Sequence, residues 1–177
     1  MITTVWNRFQ WRLAALPAPP VLQEPFSVRR ARPDEKEAVR YVALLALKMN
    51  TDWHDATEYA SDSIEKGIEA SFSADHEPTC FVIAHGARIV GTSMVDPALE
   101  AVSHLISGPW VLMEYRNRGF GTALLHASLQ ELINHGINDA YGITRKNAIA
   151  ARFVYPKFAG IASVYEMPVS RKINSDE

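Results

Sequence analysis

Two arginines and two glycines within six residues, Arg116-Asn117-Arg118-Gly119-Phe120-Gly121, make up the stretch of this chain best suited to hold an anion. The apolar run before it, Gly108-Pro109-Trp110-Val111-Leu112-Met113, reads as a strand, and residues 122 to about 135 read as an amphipathic helix. The first N–H groups of a helix lack intrahelical partners and carry the positive end of its dipole. Glycine there lets a phosphate approach without a Cβ in the way, and arginine adds charge that a phosphate can share. A glycine turn before a helix serves several phosphate ligands, so the surrounding elements must decide which one it serves here.

With 177 residues the chain fits one domain able to bury a substantial core. A net charge of −2 gives no global field to recruit nucleic acid or an anionic membrane surface. The single cysteine, Cys80, rules out an internal disulfide and fits a reducing, cytoplasmic setting. It opens an apolar run and reads as a small core residue. No apolar stretch approaches the ~20 residues that span a bilayer, which points to a soluble protein. Neither composition nor motif points to a metal.

Residues 1–25 differ from the rest. The first 22 residues hold no acid and carry Arg8 and Arg12; Val5, Trp6, Phe9, Leu13 and Leu16 recur at helical spacing before Pro17, Pro19 and Pro20. That spacing predicts an accessory helix and a Pro-rich linker, a targeting presequence or membrane-surface helix being the alternative. The folded domain then covers residues 26–177.

From Phe26 the pattern is regular. A strand at residues 26–31 leads to a helix opened by Pro33-Asp34 and a second helix over residues 53–72. On the second helix Asp55, Glu58, Asp62, Glu65 and Glu69 share one face, either a solvated surface or an acidic lip for a cationic substrate. Strands over residues 80–84 and 87–95 flank His85-Gly86, and a third fills residues 102–113. After the glycine turn and its helix, Gly136 is placed to cap, residues 139–144 read as a strand, a short helix starts near Asn147, and a last strand begins near Ile161. The order predicts a mixed α/β fold around an antiparallel meander, about four helices flanking the sheet. The strict alternation of a dinucleotide-binding fold is absent, and Gly121-Thr122-Ala123 lacks the lysine of a Walker loop.

With those elements in place, Val111-Leu112-Met113-Glu114-Tyr115-Arg116-Asn117-Arg118-Gly119-Phe120-Gly121-Thr122-Ala123-Leu124-Leu125 resembles the acetyl-CoA signature of the GNAT superfamily of N-acyltransferases. Met113 stands where that signature most often has proline. A second stretch, Asn147-Ala148-Ile149-Ala150-Ala151-Arg152-Phe153-Val154-Tyr155, is similar to the family's later motif, with Tyr155 one residue late. The resemblance implies a mostly antiparallel twisted sheet and an acetyl-CoA cosubstrate without a metal. It implies that Val111, Leu112 and Met113 pair with the pantetheine arm, and that residues 116–122 (Arg116, Asn117, Arg118, Gly119, Phe120, Gly121, Thr122) hold the pyrophosphate. Asn147 would bond the pantetheine, and Tyr155 would protonate the departing thiolate. Counting back from Arg116, His104 is the one conventional base in the window where the family often carries it; a structural histidine is the other reading. Arg145 and Lys146 lie either on the cofactor's path or at the solvated surface. The implied reaction moves an acetyl group to an amine of a small molecule or peptide, with neither nucleic acid nor membrane as partner and a homodimer expected at the level of the family. A non-catalytic acyl-CoA-binding domain and a nucleotide-binding module remain the other readings.

Overall fold

Apolar alternation and two amphipathic stretches set most of the observed elements. The computed structural model describes residues 5–168. The strands are β1 (Trp6–Arg12), β2 (Ser27–Arg30), β3 (Cys80–His85), β4 (Arg88–Val95), β5 (Leu105–Val111), β6 (Asp139–Arg145) and β7 (Ile161–Tyr165). The helices are α1 (Lys36–Lys48), α2 (Thr57–Ser71) and α3 (Phe120–Asn134), with a short irregular helical segment between β6 and β7. A single seven-stranded sheet runs β2-β3-β4-β5-β6-β1-β7, antiparallel throughout except between β5 and β6.

Strand alternation delivers β4 to two helical layers at once. Ser93 meets Ser128 of α3, hydroxyl to hydroxyl at 3.1 Å, while a Cβ on Gly67 of α2 would sit 3.2 Å from the Met94 sulfur. Neighbouring residues of one strand therefore face opposite layers, α1 and α2 on one side and α3 on the other. Cys80 is buried in this core; burial pushes its thiol up to about 12, as expected of an inert packing residue. Glu35, just before α1, binds Arg29 at 2.7 Å and accepts from the Arg32 N–H at 2.8 Å.

The expected N-terminal helix is instead β1, and it lies inside the sheet, paired with β6 on one edge and β7 on the other. Phe9, Trp11 and Leu13 alternate into the core, while Trp6 faces the other layer, 6.1 Å from Trp53 and 4.7 Å from Tyr59 between ring centroids. Trp6 on one face and Phe9 and Leu13 on the other fall at intervals of three and four, which imitates a helical spacing. The segment near Asn147 also departs from an ordinary helix: residues Ala150–Val154 form a π-turn, followed by a 3-10 turn over Tyr155–Phe158.

Candidate active site

The site begins where two neighbouring strands part. Strands β5 and β6 pair only at Leu105 and Gly142, and beyond that point the sheet opens into a wedge. The pair is clasped at its closed end by side chains. His104 Nδ1 accepts the Tyr141 N–H at 2.9 Å, and Ser103 Oγ accepts the Ile143 N–H at 3.2 Å. The wedge continues into a cavity of about 700 Å³ that reaches from α2 to the start of α3.

At one end of the cavity the glycine turn forms an anion cradle. Gly119 has φ +79° and a Cβ there would meet nothing within 4 Å, so the space above the turn is open. The first intrahelical bond of α3 runs from Ala123 N–H to Gly119 C=O, and no side chain caps the helix. The N–H groups of Phe120, Gly121 and Thr122 thus carry the helix dipole toward that space. Arg116 lines the cavity, with Nε 3.3 Å from the Val111 carbonyl. Lys157 lines it too, donating to Thr122 Oγ1 at 3.2 Å. Two cations and three N–H groups at the start of a helix fit a pyrophosphate better than a neutral ligand.

The wedge leaves backbone groups for an extended ligand. Leu112 N–H bonds Val90 C=O of β4, so alternation turns the N–H and C=O of Val111 toward the gap. Leu112 itself is engaged, its carbonyl accepting the Tyr115 N–H, and Met113 closes a 3-10 turn with Arg116. Of the residues read from the sequence, the cavity brings together Val111, Arg116, Asn117, Gly119, Phe120, Gly121, Thr122 and Tyr155. Leu112, Met113, Arg118, Asn147 and His104 lie outside its lining. Arg118 is turned to the Glu114 carbonyl and the Tyr115 ring, and Asn147 sits in an exposed turn.

Tyr155 arrives in the cavity despite its late position. Its N–H bonds Ala150 C=O, five residues back, so the π-turn absorbs the extra residue. Its hydroxyl donates to the Gly108 carbonyl at 3.0 Å, and Phe9 and Trp11 pack edge-on against its ring. Burial pushes its phenol far above the usual value. His104, by contrast, is 1% exposed and closed against the Tyr141 ring, its Nε2 without a hydrogen-bond partner among the described residues. Burial lowers its pKa, and an Nδ1 that accepts from backbone leaves the proton on Nε2. It stabilises the strand junction in the neutral form.

The opposite end is aromatic. Trp53 and Trp110 lie 5.7 Å apart, with Tyr59 beside them. Asp96 is the only carboxylate among the described lining residues, near the closed end of the wedge, where its N–H bonds the His104 carbonyl. Of the regularly spaced acids, Glu65 and Glu69 of α2 bind Arg40 at 3.0 and 3.2 Å, Glu69 also binds Lys36, and Asp55, in the turn before α2, binds Arg145 at 2.7 Å. Arg145 therefore braces the loop before α2, also reaching the Asp52 carbonyl, and does not lie among the lining residues. Sequence reasoning missed Lys157, Asp96 and Trp110. Only the apolar pattern flagged Trp110, and nothing local distinguishes the other two. Among the described residues no group of His, Cys, Asp and Glu is placed to hold a metal ion, and no helix is long and apolar enough to cross a membrane.

Comparison with known proteins places this geometry. The model of the acetyltransferase (GNAT) family matches residues 42–161. Among solved structures, a GCN5-related N-acetyltransferase from Sphaerobacter thermophilus superposes with TM-score 0.61 at 16% identity, over 91% of this chain and 49% of its own. A GNAT-family acetyltransferase from Colwellia psychrerythraea gives TM-score 0.61 at 14% identity, over 92% and 54%. A GCN5-related N-acetyltransferase from Kribbella flavida gives 0.56 at 16%, over 93% and 56%. The chain spans about half the length of these solved chains. No curated protein sequence matches it. The signature turn, the parted strands and the family match together establish that the chain belongs to the GNAT acetyltransferase family.

Proposed function

We propose that this protein transfers an acyl group, acetyl by default, from acyl-CoA to the nitrogen of an amine. One observation carries the reading: a single cavity joins the anion cradle at residues 119–122 to the gap between β5 and β6. The N–H groups of Phe120, Gly121 and Thr122, with Arg116 and Lys157, would hold the pyrophosphate. The gap-facing backbone of Val111 would pair with the pantetheine amides as an added strand does. When bound, the thioester supplies the electrophilic carbonyl and a thiolate leaving group.

The chain's own part is positioning and proton handling. A neutral amine entering from the aromatic end forms the new C–N bond as the C–S bond breaks. Asp96, the one carboxylate among the described lining residues, accepts the proton the nitrogen loses. Tyr155, neutral and hydrogen-bonded to Gly108, holds the bulged strand and lines the same cavity, from which it would protonate the departing thiolate. Release of CoA thiol from acetyl-CoA in the presence of amines tests this, with Gly119→Glu as the inactive control. The sequestered position of His104 favours a second reading, a non-catalytic acyl-CoA-binding domain. Tight acetyl-CoA binding with no thiol release across a broad amine panel would select it.

A further inference from the structure

We infer that the acceptor is a monoamine carried on an aromatic or flat apolar body, and not a polyamine or a polyhydroxylated aminosugar. The inference rests on the acyl-transfer reading above and concerns the end of the cavity remote from the anion cradle. That end is walled by Trp53, Trp110 and Tyr59. Indole and phenol faces favour a flat apolar body and attract a single ammonium through their quadrupoles.

The polar side chains around it each spend part of their bonding within the protein. Ser63 Oγ donates to the Ile106 carbonyl at 2.9 Å, and Ser103 Oγ donates to the Leu105 carbonyl at 2.9 Å. Ser107 Oγ accepts the Trp110 indole N–H at 2.8 Å, and Asn50 Oδ1 accepts the Asp52 N–H at 2.9 Å. A sugar's hydroxyls would have to be buried with few partners, and an unpartnered hydroxyl is costly. Charge argues in the same direction. Asp96 is the only carboxylate among the described lining residues, whereas a polyamine needs several. The acids of α2 and the turn before it do not supply them: Asp55, Glu65 and Glu69 are paired with Arg145, Arg40 and Lys36, and Glu58 and Asp62 are not among the lining residues.

Titration of the full-length protein with CoA present, using phenethylamine, spermidine, kanamycin and glucosamine as probes, tests the inference. Phenethylamine is expected to bind at least tenfold more tightly than each of the others. Trp53→Leu and Asp96→Asn should each weaken it about tenfold, while Glu58→Gln and Asp62→Asn leave it unchanged. Thermal melting verifies folding, and Tyr59→Ala, at a half-exposed position, substitutes if Trp53→Leu does not fold. Tighter binding of spermidine, kanamycin or glucosamine overturns the inference. So does an absence of saturable phenethylamine binding, or binding indifferent to both Trp53→Leu and Asp96→Asn. Thiol release from acetyl-CoA is read separately. Selective phenethylamine binding with no release from any amine would sink the transfer reaction and leave the pocket's preference standing.

Discussion

The Tyr155 hydroxyl donates to the Gly108 carbonyl at 3.0 Å, tying the turn after β6 to the centre of β5 where its register against β4 shifts. Gly108 has φ +107°, and a Cβ there would lie 2.9 Å from the Thr92 carbonyl, so only glycine fits this bend. One hydrogen bond thus fixes the part of the strand that faces the gap. Tyr155→Phe should lower stability by about 1 kcal/mol and turnover by roughly tenfold or more. Burial raises the phenol's pKa, so the protonated form persists through and beyond pH ~10, where a free tyrosine ionises. The alkaline limb of kcat should therefore be the same in wild type and Tyr155→Phe. A limb near pH 10 that vanishes in the variant would show that the phenol titrates normally.

Gly119→Glu separates folding from cosubstrate binding. The backbone at φ +79° disfavours any side chain by about 1 kcal/mol, yet the space is open, so the fold should survive. The carboxylate would project over the N–H groups that face the anion. Calorimetry should show acetyl-CoA binding lost while the melting temperature falls by only a few degrees. Undiminished binding would place the pyrophosphate elsewhere.

Lys157 reaches the cradle from the turn after β6, through Thr122. Lys157→Ala should raise the acetyl-CoA Kd several-fold, with a smaller salt dependence than wild type, because an exposed cation acts mainly through screened charge. Equal salt dependence in the two proteins would remove Lys157 from the phosphate site.

The glycine turn and α3 were legible in the sequence because their signals are local: Gly119 needs a positive φ, and leucines at helical spacing follow it. The fate of residues 6–13 was not, since whether Phe9 and Trp11 pack as a strand depends on β6 and β7, more than a hundred residues away. Tyr155 looked one position late because a π-turn's extra residue leaves no mark in composition. His104 looked like a base until Tyr141 supplied the N–H that its Nδ1 accepts, a partner 37 residues on. Local chemistry could be read; pairing across the sheet could not.

Acid stability should report on Glu35. Its hydrogen bonds to Arg29, against an opposing desolvation, bring its carboxyl from 4.5 down to about 2. A folded-state pKa below the unfolded one gives stability that is full above pH ~4.5 and lost as pH falls toward ~2. The shift corresponds to at most about 3 kcal/mol, and partial exposure of Arg29 brings the expected value nearer 1–2 kcal/mol. Denaturant melts between pH 6 and 2.5 should show wild type losing that increment while Glu35→Gln, already lacking it, changes less. Parallel curves would assign the acid sensitivity to other carboxylates.

The strongest test of the sheet concerns its N-terminal strand. Trp11 is wholly buried, its indole N–H donates to the Tyr155 carbonyl at 3.1 Å, and its ring meets that of Tyr155 at 5.1 Å. Trp11→Ala should cost about 3–5 kcal/mol, the usual loss for a large buried aromatic. It should also weaken acetyl-CoA turnover, because Tyr155 loses the wall that holds it against Gly108. Deleting residues 1–13 goes further. It strips a ladder of partners from both β6 and β7 and removes the core residues Phe9, Trp11 and Leu13. The truncated chain should show no cooperative melting transition, and its amides in β6 should exchange rapidly. An accessory segment lying on a finished domain would behave differently, leaving the melting temperature within a few degrees of the full chain. That result would mean the sheet closes without β1.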